Sequence, residues 1–226
     1  MTRDEAITHY RLTRTGIQRV LKAAVATCTA ADLKRAAKQL GVWANDRIEV
    51  QDETAIDMVM DLALFEPNQR GKRAFDRFLA SRAPEFGADH LDLARRMASA
   101  RFSIFRVTGR HELAGVWVQD LLGRNEPTWI FDEGLEGSAP DGLEFGMRVF
   151  DAGQFHAGFG IVVPADEEMT YFCAEAVSRG NRPAVRHSLA AAFYADAIWA
   201  NLTGSAEPDL IEAILENRRP PPATWP

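Results

Sequence analysis

The spacing of apolar residues changes twice along this chain of 226 residues, and that change limits the possible folds more than any single residue does. Up to about residue 100 the apolar side chains recur at helical spacing. In TAADLKRAAKQLG, Thr29 is a good N-cap, and Leu33, Ala36, Ala37 and Leu40 form one stripe ahead of a stop at Gly41. Residues 14–27 carry a similar stripe through Ile17, Val20, Leu21 and Ala24. ETAIDMVMDLALF is apolar nearly all round and predicts a central helix. GKRAFDRFLASR and DHLDLARRMASA predict two more short helices, parted by Pro84 and Gly87.

From Arg101 the period falls to two. FSIFRVT, ELAGVWVQ and PTWIFD are short, aromatic and β-branched, with turn residues between them. GMRVF and FHAGFGIVV then form a predicted hairpin around DAGQ. Alternation puts Phe155, Ala157, Phe159, Ile161 and Val163 on one face, and His156, Gly158, Gly160 and Val162 on the other. The second face is nearly bare, so a bulky group can approach it closely. After Pro164 helical patterning returns in ADEEMTYFCAEAVSR, AVRHSLAAAFYADAIWANL and EPDLIEAILEN. The tail RRPPPATWP reads as extended.

Strands grouped together between grouped helices predict an α+β fold. N-terminal helices (1–100) precede a small antiparallel β unit, a sheet or partly open barrel (101–165). C-terminal helices and a Pro-rich tail (166–226) pack back on it, and one core serves all three regions.

Composition excludes several classes. No apolar run reaches the roughly 18 residues of a membrane span. The N-terminus MTRDEAITHYRLTRT is charged and lacks a signal-peptide core. Cys28 and Cys173 lie far apart, with no C-x-x-C, which predicts a reduced, cytoplasmic protein. Arginine outnumbers lysine, 22 to four, a bias of GC-rich bacterial genomes. Net charge is −6, yet residues 1–40 carry eight basic and three acidic residues, so the rest of the chain carries −11. Nucleic acid would therefore have to meet the N-terminal helices, through Arg14, Arg19, Lys34 and Arg35.

Motifs are few. Gly153 to Gly158 has P-loop spacing, but Phe159 and Gly160 stand where lysine and a hydroxyl are needed. The histidines (His9, His90, His111, His156, His187) show no metal-ligand spacing, and neither a metal nor a cofactor is expected. There is no G-x-S-x-G and no Cys/His pair for nucleophilic catalysis. LKRAAKQLGVW resembles the first half of a helix-turn-helix, but ANDRIEV follows in place of a recognition helix. His156 stands out on its glycine-lined face, with Arg148 near in sequence. The candidate ligand-binding set is His156, Arg148, Gly158 and Gly160.

The run LKRAAKQLGVW, MDLALFE, RAFDRFLA, ARFSIFRV, VWVQDLLG and FHAGFGIVVP resembles a family of uncharacterised bacterial proteins over residues 30–165. Its layout is that of the non-zinc body of some SEC-C-motif proteins. The SEC-C cysteines are absent here, so zinc does not carry over. The resemblance implies a buried helix and a small β unit with a D-L-L turn at Asp120–Leu122.

The reading drawn from these features is a cytoplasmic protein-interaction or adaptor module that uses the bare β face or the tail. Its partner is a protein, no membrane is involved, and a homodimer is compatible with the sequence. The alternatives are a nucleic-acid-associated regulator using the basic helices, and an enzyme or small-ligand binder with a non-standard site near His156.

Overall fold

The computed structural model describes residues 1–50, 52–123, 126–165, 167–178 and 189–205. The predicted helix EPDLIEAILEN and the Pro-rich tail with Trp225 lie outside them.

The α+β architecture is present, with helices first, a β unit next and helices after it. Helix α1 (Arg3–Val25) begins well before the expected residue 14, because Thr2 and Glu5 form a reciprocal capping box. Its buried stripe runs through Ala6, Tyr10, Ile17, Val20 and Ala24. Helix α2 (Ala30–Gln39) is capped in the same way by Thr29 and Asp32. ANDRIEV is not a helix. Trp43–Ala44 (β1) and Arg47–Ile48 (β2) form a tiny hairpin, with Asn45 and Asp46 both at positive φ. Helices α3 (Glu53–Phe65), α4 (Ala74–Ser81) and α5 (Ala88–Met97) follow. α3 is central: Leu64 and Phe65 join one core cluster, and Val59, Leu62 and Ala63 join another.

Strands β3 (Arg101–Arg110), β4 (Val116–Asp120), β5 (Pro127–Ile130), β6 (Glu144–Asp151) and β7 (His156–Pro164) close into a barrel in the order β3-β4-β5-β7-β6. All pairings but one are antiparallel. β5 and β7 run parallel, with Ile130 opposite His156, so the unit is mixed where the sequence predicted a purely antiparallel one. The cause is a short helix, α6 (Glu133–Ser138), which carries the chain across the barrel between β5 and β6. This connectivity is that of an OB-type barrel. Leu135 and Ala139 seal one end of a lumen filled by Phe105, Val118, Phe145, Met147 and Val149.

Helices α7 (Glu167–Ser178) and α8 (Leu189–Ser205) complete the described chain. Phe193 and Tyr194 of α8 pack on Phe102 of β3. Among the described residues no helix is long and apolar enough to cross a membrane.

Candidate functional site at the mouth of the barrel

Strand alternation decides which side chains reach the lumen, and residues paired across strands share a face. Phe105 points inward, so its partner Asp120 does too. Val149 and Met147 point inward, and so do their partners Arg101 and Ser103. By the same rule Thr128 faces inward opposite Val118, and His156 opposite Ile130. The lumen is apolar along its length and polar at the end where β3, β5 and β7 begin.

An open cavity of about 700 Å3 occupies that end. Arg101, Ser103, Thr128 and His156 line it from the strands, and Glu126 from the β4–β5 loop. Phe102, Leu122 and Leu189 add apolar surface. Barrel mouths are a recurrent place for small-molecule sites of this size.

Asp120 organises the rim. It is buried, pairs with Arg101, accepts from the Ser103 hydroxyl and accepts from the Leu122 backbone N–H at 3.1 Å. The last bond closes the D-L-L turn. Gly123 has to be glycine there, because a Cβ would lie 2.5 Å from the Asp120 carboxylate. Arg101 is half exposed, so it lines the mouth while one of its nitrogens holds Asp120. Burial pushes the His156 imidazole below its ordinary range. Asp151, paired with it across the strands, opposes that shift and Arg101 adds to it. The ring is thus biased to the neutral form, in which one nitrogen donates and the other accepts.

The structure separates the four residues singled out from the sequence. His156 and Gly158 face the lumen, whereas Arg148 and Gly160 face out toward the helices. Gly158 is buried, and its missing side chain makes room for Met147. At His156 and Gly158 the bare face is therefore the inside of the barrel, filled by a neighbour and not a docking surface, whereas the β7 bulge turns Gly160 off that face. Gly160 sits at φ +93 in a bulge of β7, with the Arg14 guanidinium over it. Arg148 is bound to Asp61 and Glu66. Arg101, Ser103, Asp120 and Thr128 were missed. Their signal was the polar Arg101 and Ser103 alternating with Phe102 and Ile104 at the start of β3.

The four basic residues do not converge either. Arg14 donates weakly to the Gly158 carbonyl, and Arg19 lies over the Phe86 ring. Lys34 pairs with Asp46 and covers Trp43. Arg35 is half-buried on the Ala63 carbonyl.

The outer face of β4 and β5, which OB-type barrels offer to oligonucleotides, is largely engaged here. His111 stacks flat on Trp129 at 3.7 Å, and the Trp129 indole donates to the Ala114 carbonyl. α1 pins both flanking loops, through Arg3 to the Leu113 carbonyl and His9 to Gln154. No group of three metal-ligating side chains occurs among the described residues.

Comparison with curated proteins finds no match to the chain, and comparison with solved structures finds none either. The family of unknown function DUF7986 matches residues 4–174, from the first turn of α1 through the barrel into α7, and the chain belongs to that family.

Proposed function

We propose that the protein is a binding module whose barrel mouth takes a small polar molecule. The observation that carries this reading is the convergence of inward-facing Arg101, Thr128 and His156 on one open cavity. Asp120 offsets Arg101, and Glu126 leaves one net negative charge, so the site suits a neutral or zwitterionic ligand whose donors or ammonium group can meet it. The Ser103 hydroxyl donates to Asp120 and is only 2% exposed, so it fixes the rim. Thermal denaturation against a panel of nucleosides, monosaccharides and amino acids tests the reading. A panel member should raise the melting temperature of the wild type as its concentration exceeds Kd. His156→Phe and Thr128→Val should abolish that rise. A rise retained in both variants, or none from any panel member, argues against the site.

A protein-interaction role is the second reading. It rests on Tyr171 and Phe172, adjacent on α7 and 68% and 69% exposed. The free thiols Cys28 and Cys173 fit a reducing, cytoplasmic setting. Tyr171→Ser with Phe172→Ser should release a co-purifying protein. Retention of the same partner would remove this reading.

A further inference from the structure

A second cavity, of about 370 Å3, lies between α1 and α3 above β7, on the outside of the barrel. α1 supplies one lip with Arg14, Gln18 and Lys22, spaced four apart and so on one helix face. The opposite lip carries Asp57. Between them the floor is built from Leu21, Met60, Leu64, Phe65, Phe159 and Ile161, and its one polar member, Asp61, is held by Arg148.

The β7 bulge shapes this hollow. Met147 pairs with Val162, but Val149 already pairs with Gly158, so Phe159, Gly160 and Ile161 arch out of the ladder. The side chains of Phe159 and Ile161 line the floor on either side of Gly160. A Cβ on Gly160 would stand 2.3 Å from an Arg14 nitrogen, so the glycine leaves the space into which Arg14 reaches. Among the described residues neither Arg14 nor Lys22 has an ion-pair partner within 4.0 Å. Asp57 stands across the cavity, its carboxyl pushed up by burial and by Glu53.

We infer that this cleft binds a small monoanionic amphiphile, a linear carboxylate whose head meets Arg14 and Lys22 and whose chain lies on the Phe159–Ile161 floor. With the Asp61 carboxylate taken up by Arg148, Arg14 and Lys22 against Asp57 leave a single positive charge on the lips, which one carboxylate head balances and a doubly charged phosphate exceeds. The apolar floor gives the chain its affinity, and the guanidinium gives the head its direction.

Calorimetric titration of the full chain with decanoate, decanol and acetate tests this. Decanoate should bind at one site, decanol at least about tenfold more weakly, and acetate not measurably, since a charge-assisted hydrogen bond and the buried chain both contribute. Arg14→Met should weaken decanoate by about tenfold or more and leave decanol unchanged. Asp57→Asn should tighten decanoate, because it removes the like charge. That variant leaves the Arg14 contact with Gly158 in place and keeps the test open if Arg14→Met does not fold. Equal binding of decanoate and decanol, no effect of Asp57→Asn, or several equivalent sites would overturn the inference.

Discussion

Arg148 on the outer face of β6 donates through Nε to both carboxylate oxygens of Asp61 on α3, at 2.9 and 3.0 Å, with both side chains buried. A terminal nitrogen of Arg148 also reaches Glu66 at 2.9 Å, and the Tyr194 hydroxyl of α8 donates to Asp61 at 3.1 Å. The guanidinium lies 5.3 Å over the Phe65 ring. Burial opposes the charge on Arg148, but the two carboxylates outweigh it and hold the arginine protonated. Barrel, central helix and C-terminal helix thus meet at one buried ionic cluster.

Removing the cation from that cluster leaves two carboxylates in a low-dielectric setting. Arg148→Met should cost about 3–5 kcal/mol in urea denaturation. The pair Arg148→Met with Asp61→Leu should recover part of the loss, because the fully buried carboxylate is then gone and only Glu66, at the more exposed edge of the cluster, is left without its cation. Tyr194→Phe, which removes only one donor to Asp61, should cost about 1–3 kcal/mol. Equal losses in the single and double variants would mean that the ion pair is not what couples the two elements.

The inward face of Gly158 has a specific tenant. An added Cβ would lie 2.0 Å from the Met147 methyl and 3.1 Å from the Arg148 carbonyl. Gly158→Ala should destabilise the barrel by about 1–3 kcal/mol through overpacking. Met147→Val in the same chain should relieve part of it. An unfolding midpoint unchanged by Gly158→Ala would show that the lumen repacks freely.

Asp120 ties the β4–β5 loop to β3, so Asp120→Ala should do more than destabilise. It leaves the Ser103 hydroxyl buried and without its acceptor, at a cost of about 1–3 kcal/mol. It should also speed amide exchange at Leu122, whose N–H bonds to Asp120 in the native protein. Unaltered exchange at Leu122 would contradict the anchoring role.

Burial lowers the folded-state pKa of His156 and of His111 below the ordinary 6.5. The unfolded chain then binds more protons than the folded one in the window beneath that value. Stability is therefore full above the unfolded pKa and falls as pH drops toward the folded values. His156→Gln should flatten the stability profile between about pH 7 and pH 5. A profile identical to that of the wild type would mean that the ring is freely solvated in the folded state.

How much of this was legible in the sequence depended on the range of the interactions. The change of period at Arg101 and the return of helix after Pro164 are local, and both appear at the expected places. The start of α1 was also local, written in the Thr2–Glu5 capping box, but polar residues around it hid its apolar stripe. The parallel β5–β7 pair was not legible, because it depends on a helix of only six residues between two strands. Alternation in β7 correctly separated Phe155 and Phe159 from His156 and Gly158. It could not say that the bare side was a lumen rather than a surface, since that requires closure by β3 against β6. Arg148 and Asp61 are 87 positions apart, and no local pattern marks such a pair.

The most direct measurement is a nitrogen-resolved NMR titration of the full chain with any panel compound that stabilises it. The account predicts concentration-dependent shifts centred on Thr128, His156 and the Leu122–Gly123 turn, with Arg148 and Tyr194 unmoved. Saturable shifts confined to the outer β4–β5 face or to α7 would place binding elsewhere and contradict the barrel-mouth site.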